Sequence, residues 1–366
     1  MPKTIHQILP NFSPRDAIGT EASLMRDFLR SLGHQSEIYC LDGYQNGLAL
    51  PSKKLMTDIA AHGKSRSDTA VIFHFSVGTE LSKLWPTLSC QRWLRYHNIT
   101  PMQFFTRSDE LHARYMCGLG RIQLPDVSKA SDVLLADSSY NASELSSFSE
   151  QPVHVIPVFR DYEALTQSPV DQDLASKLAD KSVATVIFIG RVSPNKCHHD
   201  LLQLLSLHKK ISSRKVRLIF AGGYFSASYK DIIHNFAHAL GLTLASDWNF
   251  AADVLTLGSV RDSQLTTLYK SADLYASLSE HEGFGVPIVE SMYFDLPVFA
   301  HHATAVSEIL GAGEFLVDKF NWLRTVKVFD DALFNKDLRA KEIARTKSWR
   351  TRFGLKRAKE LFQSLQ

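Results

Sequence analysis

The sequence predicts an α/β protein of two doubly wound domains, each a parallel sheet covered by helices on both faces. Strand-like apolar runs and helical periodicities alternate along the chain, which is the βαβα rhythm of such a sheet. That rhythm lapses once, from Pro157 to about Asp173, and then resumes. The chain's 366 residues suffice for two domains of ordinary size, each with its own core.

The elements follow in order. Ile5 to Leu9 reads as a first strand, followed by a polar loop from Pro10 to Thr20. Ala22, Leu24, Met25, Phe28, Leu29 and Leu32 recur at helical spacing, and Gly33-His34 stops that helix. Strands are expected at Ser36–Leu41, Thr69–Phe75, Leu94–Asn98, Asp132–Ala136 and Val153–Ile156, with a helix from Ser138 to Phe148. Pro101 pushes Thr100 into extended geometry. Past the lapse, Val183–Ile189 is a strand running into Gly190-Arg191, and Asp200–Leu207 is helical. Val216–Ala221 is a strand ending in Gly222-Gly223, and Tyr229–Leu240 a helix. Val254–Leu257, a helix at Ser263–Ser271 and a strand at Ala272–Ser277 lead to Glu282. Pro297–Ala300 and Val306–Leu310 continue the alternation. Ligands of such sheets bind at the carboxyl ends of the strands, and two domains of this kind imply a cleft between them.

Composition sets bounds. Hydrophobic residues make up 45% and charged residues 22%, the balance of a soluble globular protein, and the net charge of +3 does not point to nucleic acid. Cys40, Cys90, Cys117 and Cys197 are scattered without a CxxC pair, which fits reduced thiols of a cytosolic protein. The first residues are too short an apolar run for a signal peptide, and nothing approaches the ~18 apolar residues of a spanning helix.

Chemistry concentrates at predicted strand ends. In Glu282-Gly283-Phe284-Gly285-Val286-Pro287-Ile288-Val289-Glu290, two carboxylates bracket a glycine pair. Pro287 opens a helix expected over Val286–Phe294, which Asp295-Leu296-Pro297 ends. Carboxylates suit hydroxyls, and free amides at a helix start suit anionic oxygens, so the stretch fits a polyhydroxylated, phosphate-bearing molecule. Arg191 and Lys196 follow a strand. Either one alone is an ordinary solvated loop cation, but in the order strand, Gly-Arg, Lys, helix they fit a diphosphate. His97 ends a strand and can exchange hydrogen bonds with hydroxyls near neutral pH; His74 ends another, before a Ser-Val-Gly turn.

Other signals are set aside. His234 and His238 stand four apart on a helix with no third zinc ligand or catalytic Glu beside them. The pairs His198-His199 and His301-His302 point their side chains apart. Asp171-Gln172-Asp173 lies in the linker, where it caps the helix that follows. Asn98-Ile99-Thr100 and Asn141-Ala142-Ser143 match the glycosylation sequon but need a secretory route.

Phe188-Ile189-Gly190-Arg191 with Lys196, then Gly258-Ser259-Val260, then Glu282 to Glu290 with its Glu-x7-Glu spacing, resembles the GT-B nucleotide-sugar glycosyltransferases of family 4. The likeness runs from about residue 183 to 318 and is more specific than any one piece. Gly19-Thr20, His74-Phe75-Ser76 and Tyr96-His97-Asn98-Ile99-Thr100-Pro101 extend it more weakly. One departure is Cys197, where the family often has Gly.

The resemblance implies two Rossmann-like domains facing a cleft, residues 1–165 and 166–345, with 346–366 crossing back to the first. It implies a retaining transfer of a hexosyl group from a nucleoside-diphosphate sugar to a hydroxyl acceptor. Arg191 and Lys196 would stabilise the departing diphosphate, Glu282 would hold the donor sugar and Glu290 the ribose. Gly283, Phe284 and Gly285 would face sugar or phosphate, and Val260 would meet the base. Gly19 would approach the phosphate, His97 the reacting sugar, and His74 and Thr20 the acceptor. No carboxylate stands out as a nucleophile, in keeping with phosphate-assisted front-face attack. No cofactor or essential metal is expected.

The Tyr-His-Asn-Ile-Thr-Pro string resembles bacterial mannosyltransferases of surface-polysaccharide and lipopolysaccharide assembly. GDP-mannose is thus the expected donor and a UDP-sugar its rival, with a saccharide or lipid-linked saccharide as acceptor. A GT-B sugar-nucleotide 2-epimerase and a non-catalytic scaffold remain as alternatives. A cytoplasmic location follows, with a peripheral membrane contact open through ten Lys and Arg between Lys336 and Lys359; a solvated helix face is the plainer reading. Trp85 and Trp93, flanking Arg92 and Arg95, hint at the same contact.

Overall fold

The computed structural model describes residues 2–14, 16–42, 47–62 and 65–365. The chain divides into two units. The first combines the residues up to Gln103 with Leu111–Arg160 and the residues from Arg352 onward; the second combines Phe104–Glu110 with Asp161–Thr351.

The first unit holds a seven-stranded sheet: β1 (Thr4–Asn11), β2 (Ile38–Asp42), β3 (Leu50–Pro51), β4 (Thr69–Phe75), β5 (Gln91–Tyr96), β6 (Val133–Ala136) and β7 (Val153–Val155). Their order is β3-β2-β1-β4-β5-β6-β7, and every pairing is parallel. β4 is buried along its whole length, which is why Thr-Ala-Val-Ile-Phe-His-Phe is nearly continuous in apolar residues. The helix Leu355–Gln363 belongs to this unit. Its Phe362 packs against Phe28, Trp93 and Phe159, with ring centroids 5.8–6.3 Å apart.

The second unit holds β8 (Val183–Ile189), β9 (Lys215–Ala221), β10 (Leu244–Ala245), β11 (Val254–Thr256), β12 (Leu274–Ser277), β13 (Val298–His301) and β14 (Leu316–Val317). Their order is β10-β11-β9-β8-β12-β13-β14, again parallel throughout. Val186, Phe188, Leu218, Phe220, Phe299 and Phe329 lie in its core. Strand order reverses between β1 and β4 in the first sheet and between β8 and β12 in the second. Such a reversal opens a crevice at the carboxyl ends of the two strands, where ligands of this architecture bind.

Several expectations are corrected. The units part at Arg160/Asp161 and Thr351/Arg352, not at 165/166 and 345/346. The helix Tyr162–Thr166 belongs to the second unit, its Tyr162 ring stacked 5.0 Å from Tyr293. The helix Lys336–Trp349 runs through the other expected boundary, and its Trp349 indole donates to the Ile309 carbonyl at 2.9 Å. The loop read from Pro10 to Thr20 ends early, because Asp16 caps a helix over Ala17–Ser31. A 19-residue helix, Leu111–Lys129, falls where none was expected.

Trp85 and Trp93 are buried, so neither forms an exposed aromatic surface. Five of the ten basic residues are tied into the second unit. Arg339 donates to the Asp273 carbonyl, Lys341 pairs with Glu314, Arg345 with Glu342, and Lys347 and Arg350 with Asp295. Among the described residues no helix is long and apolar enough to cross a membrane.

Candidate functional site

The second sheet's reversal point gathers most of the predicted donor residues. After β8, Gly190 and Arg191 lead into a short turn, Pro194–Lys196, and then the helix His198–Ile211. After β12 comes the loop carrying Glu282. The Lys196 ammonium donates to the Glu282 carboxylate at 2.5 Å, joining residues 86 apart in sequence. The two side chains remain 22% and 14% exposed, so the pair is reachable from solvent. Arg191 is exposed and makes no ion pair among the described residues.

Backbone contacts fix both loops. The Glu280 amide donates to the Asn195 carbonyl at 3.0 Å, and the Asn195 side chain donates to the His281 carbonyl at 3.3 Å. Glu282 and Thr304 bond reciprocally: the Glu282 amide donates to the Thr304 hydroxyl, which donates back to the Glu282 carbonyl, each at 2.9 Å. Buried Lys319 donates to Asp200 at 2.5 Å and lies 2.6 Å from Glu280. Sequence reading missed Asn195, Thr304 and Lys319, whose partners lie far away in the chain.

Gly285 stands at φ +92 immediately before the helix Val286–Tyr293, with Pro287 in its first turn. A side chain there would be strained and would press on Ile288 at 3.2 Å. Phe284 is buried. Glu290 is only 3% exposed and accepts from the Tyr269 hydroxyl at 2.6 Å, so its carboxylate is already oriented from one side. Val260 is half-buried in the loop after β11.

The first unit is organised differently from the expectation. Gly19 lies within the helix Ala17–Ser31, and its amide donates to the Asp16 carboxylate at 2.6 Å. The glycine is needed because a Cβ there would lie 1.8 Å from the Ser13 carbonyl oxygen. Thr20 donates to the Pro14 carbonyl at 3.2 Å. Both serve the helix start rather than an open phosphate loop. His74 is fully buried, which removes it from any acceptor surface.

His74 and His97 instead belong to a buried polar cluster. The Gln7 amide nitrogen donates to the Ala22 carbonyl at 2.9 Å, so its oxygen faces His74 Nε2 at 2.8 Å and makes that nitrogen a donor. Burial, then the neighbouring His97 and Arg95, hold His74 well below the usual histidine range, so it is neutral and its Nδ1 accepts. His97 Nε2 lies 2.9 Å from that Nδ1, and His97 Nδ1 lies 2.9 Å from the Asp137 carboxylate.

Arg95, fully buried, donates to Glu21 at 2.7 Å, lies 3.0 Å from Asp137, and donates to the Ile156 carbonyl at 2.7 Å. Burial pushes the Glu21 carboxyl up. It opposes ionisation of Asp137 too, but Arg95 and His97 outweigh it and hold that carboxyl low. Both nitrogens of His97 are thus engaged inward and its side chain is 5% exposed, which is not the open hydroxyl partner expected.

His198, first residue of its helix, packs edge-on between Phe188 and Phe220, with centroids 4.3 and 4.9 Å away. Burial, then Lys196 and His199, lower it to about 3. Between that value and the unfolded ~6.5, only the unfolded chain takes up the proton, so stability falls as pH drops through this window. From pH 7.5 to 5 the loss attributable to His198 is about 2 kcal/mol. Urea unfolding at both pH values checks this: His198→Leu should lose about that much less than wild type, and equal losses would refute it.

Residues 170–349 match the family model described as glycosyl transferases group 1. Among curated proteins, the D-inositol 3-phosphate glycosyltransferase of Gordonia bronchialis is 29% identical over 192 residues, 50% of this chain and 40% of that protein. The O-antigen chain mannosyltransferase B of Escherichia coli is 27% identical over 132 residues, 36% of this chain and 32% of that protein. The chain thus matches less than half the length of either relative. Among solved structures, Anabaena HepE in complex with UDP and glucose has a TM-score of 0.72 at 17% identity, covering 99% of each chain. The Candida albicans trehalose-6-phosphate phosphatase N-terminal domain has a TM-score of 0.75 at 10% identity, covering 100% of this chain and 96% of that one. The two parallel seven-stranded sheets have the GT-B fold.

Proposed function

We propose that the protein is a retaining glycosyltransferase moving a hexosyl group from a nucleoside-diphosphate sugar to a hydroxyl of a saccharide or lipid-linked saccharide. The observation that carries this reading is the Lys196–Glu282 contact, with Arg191, which has no ion-pair partner among the described residues, in the same loop. It sets two cations and a carboxylate at the carboxyl ends of the adjacent strands β8 and β12, where the strand order reverses. Arg191 and Lys196 stabilise the leaving diphosphate, and electrostatic stabilisation of this kind is often the largest catalytic term. Binding of the diphosphate draws Lys196 toward phosphate oxygens and releases Glu282 to a sugar hydroxyl. Glu290 takes the ribose, the Gly283–Gly285 amides the sugar or phosphate, and Val260 the base. His97 belongs first to its buried cluster and reaches a sugar hydroxyl only by giving up one of its two bonds.

GDP-mannose is the first candidate donor, in keeping with the name of the Escherichia coli relative. A UDP-sugar is the second, in keeping with the nucleotide in the Anabaena structure. No divalent ion is assigned to the reaction, since protein cations serve the diphosphate. A thermal-shift panel of GDP, UDP, ADP and their sugars, with and without EDTA, tests these assignments. At about 100 times Kd, one nucleotide should add about 2.7 kcal/mol to the folded state, unchanged by EDTA. Failure of every nucleotide to raise the melting temperature refutes the donor site, and a shift abolished by EDTA refutes the metal-free assignment. Donor-only incubation separates transfer from epimerisation.

A further inference from the structure

Phe225 stands beside the donor cations without being one of the groups assigned above. The loops after β8 and β9 are stitched together by their backbones. The Val192 amide donates to the Gly223 carbonyl at 3.0 Å, and the Phe225 amide donates to the Val192 carbonyl at 2.9 Å. This pairing sets the Phe225 ring beside the residue preceding Val192, and the Arg191 guanidinium carbon lies 5.8 Å from its centroid. Lys196 has a carboxylate partner, whereas Arg191 has only this aromatic face among its described ionic and ring contacts.

The ring is also packed by a segment from the other half of the sequence. Phe105, on the Phe104–Glu110 stretch that joins the second unit, packs on Phe225 with centroids 4.9 Å apart. That stretch is anchored at the start of the helix Ala227–Ala239. Asp109 accepts from the Ser228 amide at 3.0 Å and its hydroxyl at 2.6 Å, and fully buried Glu110 accepts from the Ser226 hydroxyl at 2.8 Å. Carboxylates at a helix N-terminus are favourably placed, so the anchor is firm.

We infer that Phe225, braced by Phe105, is a positioning residue that holds the Arg191 guanidinium ready for the donor's diphosphate. The inference rests on the donor-site reading above. A free arginine samples many rotamers, and ordering it on binding subtracts from affinity; a ring beneath it orders it beforehand. The ring leaves the positive charge unneutralised, which a carboxylate partner would not.

Calorimetric titration of the wild type, Phe225→Leu, Phe225→Tyr, Phe105→Leu and Arg191→Ala tests this, with GDP or UDP as the probe and guanosine or uridine as competitor. Phe225→Leu keeps the apolar bulk and loses the π face. It should weaken diphosphate binding about two- to fivefold, with nucleoside affinity unchanged. Phe225→Tyr should bind as wild type, and Phe105→Leu should shift in the same direction by less. Wild-type diphosphate affinity in Phe225→Leu overturns the inference, as does an equal loss of nucleoside and diphosphate, which marks a merely structural role. If wild type binds neither nucleotide, or Arg191→Ala binds as wild type, the donor-site reading itself falls and takes this inference with it.

Discussion

Replacing Lys196 with alanine lowers kcat about 10²- to 10³-fold while leaving the fold intact. The magnitude is that of removing one preorganised charge from a site where negative charge develops. Stability changes little, because the Lys196–Glu282 pair is partly exposed and such pairs are worth about 0–1 kcal/mol. The two measurements are nucleoside diphosphate release from the donor chosen by the nucleotide panel, and the urea midpoint. Turnover within a few-fold of wild type would remove Lys196 from the chemistry and revive a scaffold role for the fold. Loss of turnover with an unchanged midpoint is the signature of an enzyme.

Replacing Arg95 with methionine destabilises the first unit by about 3–5 kcal/mol, the usual cost of stranding one side of a buried charge pair. The variant leaves the Glu21 and Asp137 carboxyls facing each other without the guanidinium that now lies between them. Urea unfolding read from a first-unit probe, Trp93 fluorescence, measures the loss. Adding Glu21→Gln to Arg95→Met should recover part of it, because one stranded charge is removed. A loss below about 1 kcal/mol for Arg95→Met would mean that the cluster is hydrated and not the buried pair described.

The fold was largely legible because parallel strands buried on both faces carry long apolar runs. Val183–Ile189 coincides with its expected bounds for that reason. The helix Leu111–Lys129 was not, since Gly118, Gly120 and Pro125 interrupt its periodicity and tertiary packing overrides them. The polar run from Pro10 and the likeness to a Gly-rich first loop point to a loop at Gly19, although Asp16 three residues earlier is an ordinary helix start signal.

At the site, residues borne on one loop or its immediate neighbour could be seen in the sequence, as with Arg191, Lys196 and Glu282. The Glu21–Arg95–Asp137–His97 cluster could not. Glu21 and Arg95 stand 74 residues apart, and no period links them. One signal was available: a central strand reading Gln-Arg-Trp-Leu-Arg-Tyr places a cation where a buried acid must answer it. Nothing local marks Phe104–Glu110 as part of the second unit, since its anchoring bonds span 116 and 119 residues.

Phe362 closes the first unit's core from the last helix among the described residues. During synthesis, Phe28, Trp93 and Phe159 are therefore made long before the ring that covers them. The second unit's residues end at Thr351, while the first unit still awaits the helix Leu355–Gln363. A nascent chain paused between these points displays an uncovered aromatic face, a natural handle for chaperones and a hazard for aggregation. The half of the molecule translated first is thus the half that matures last.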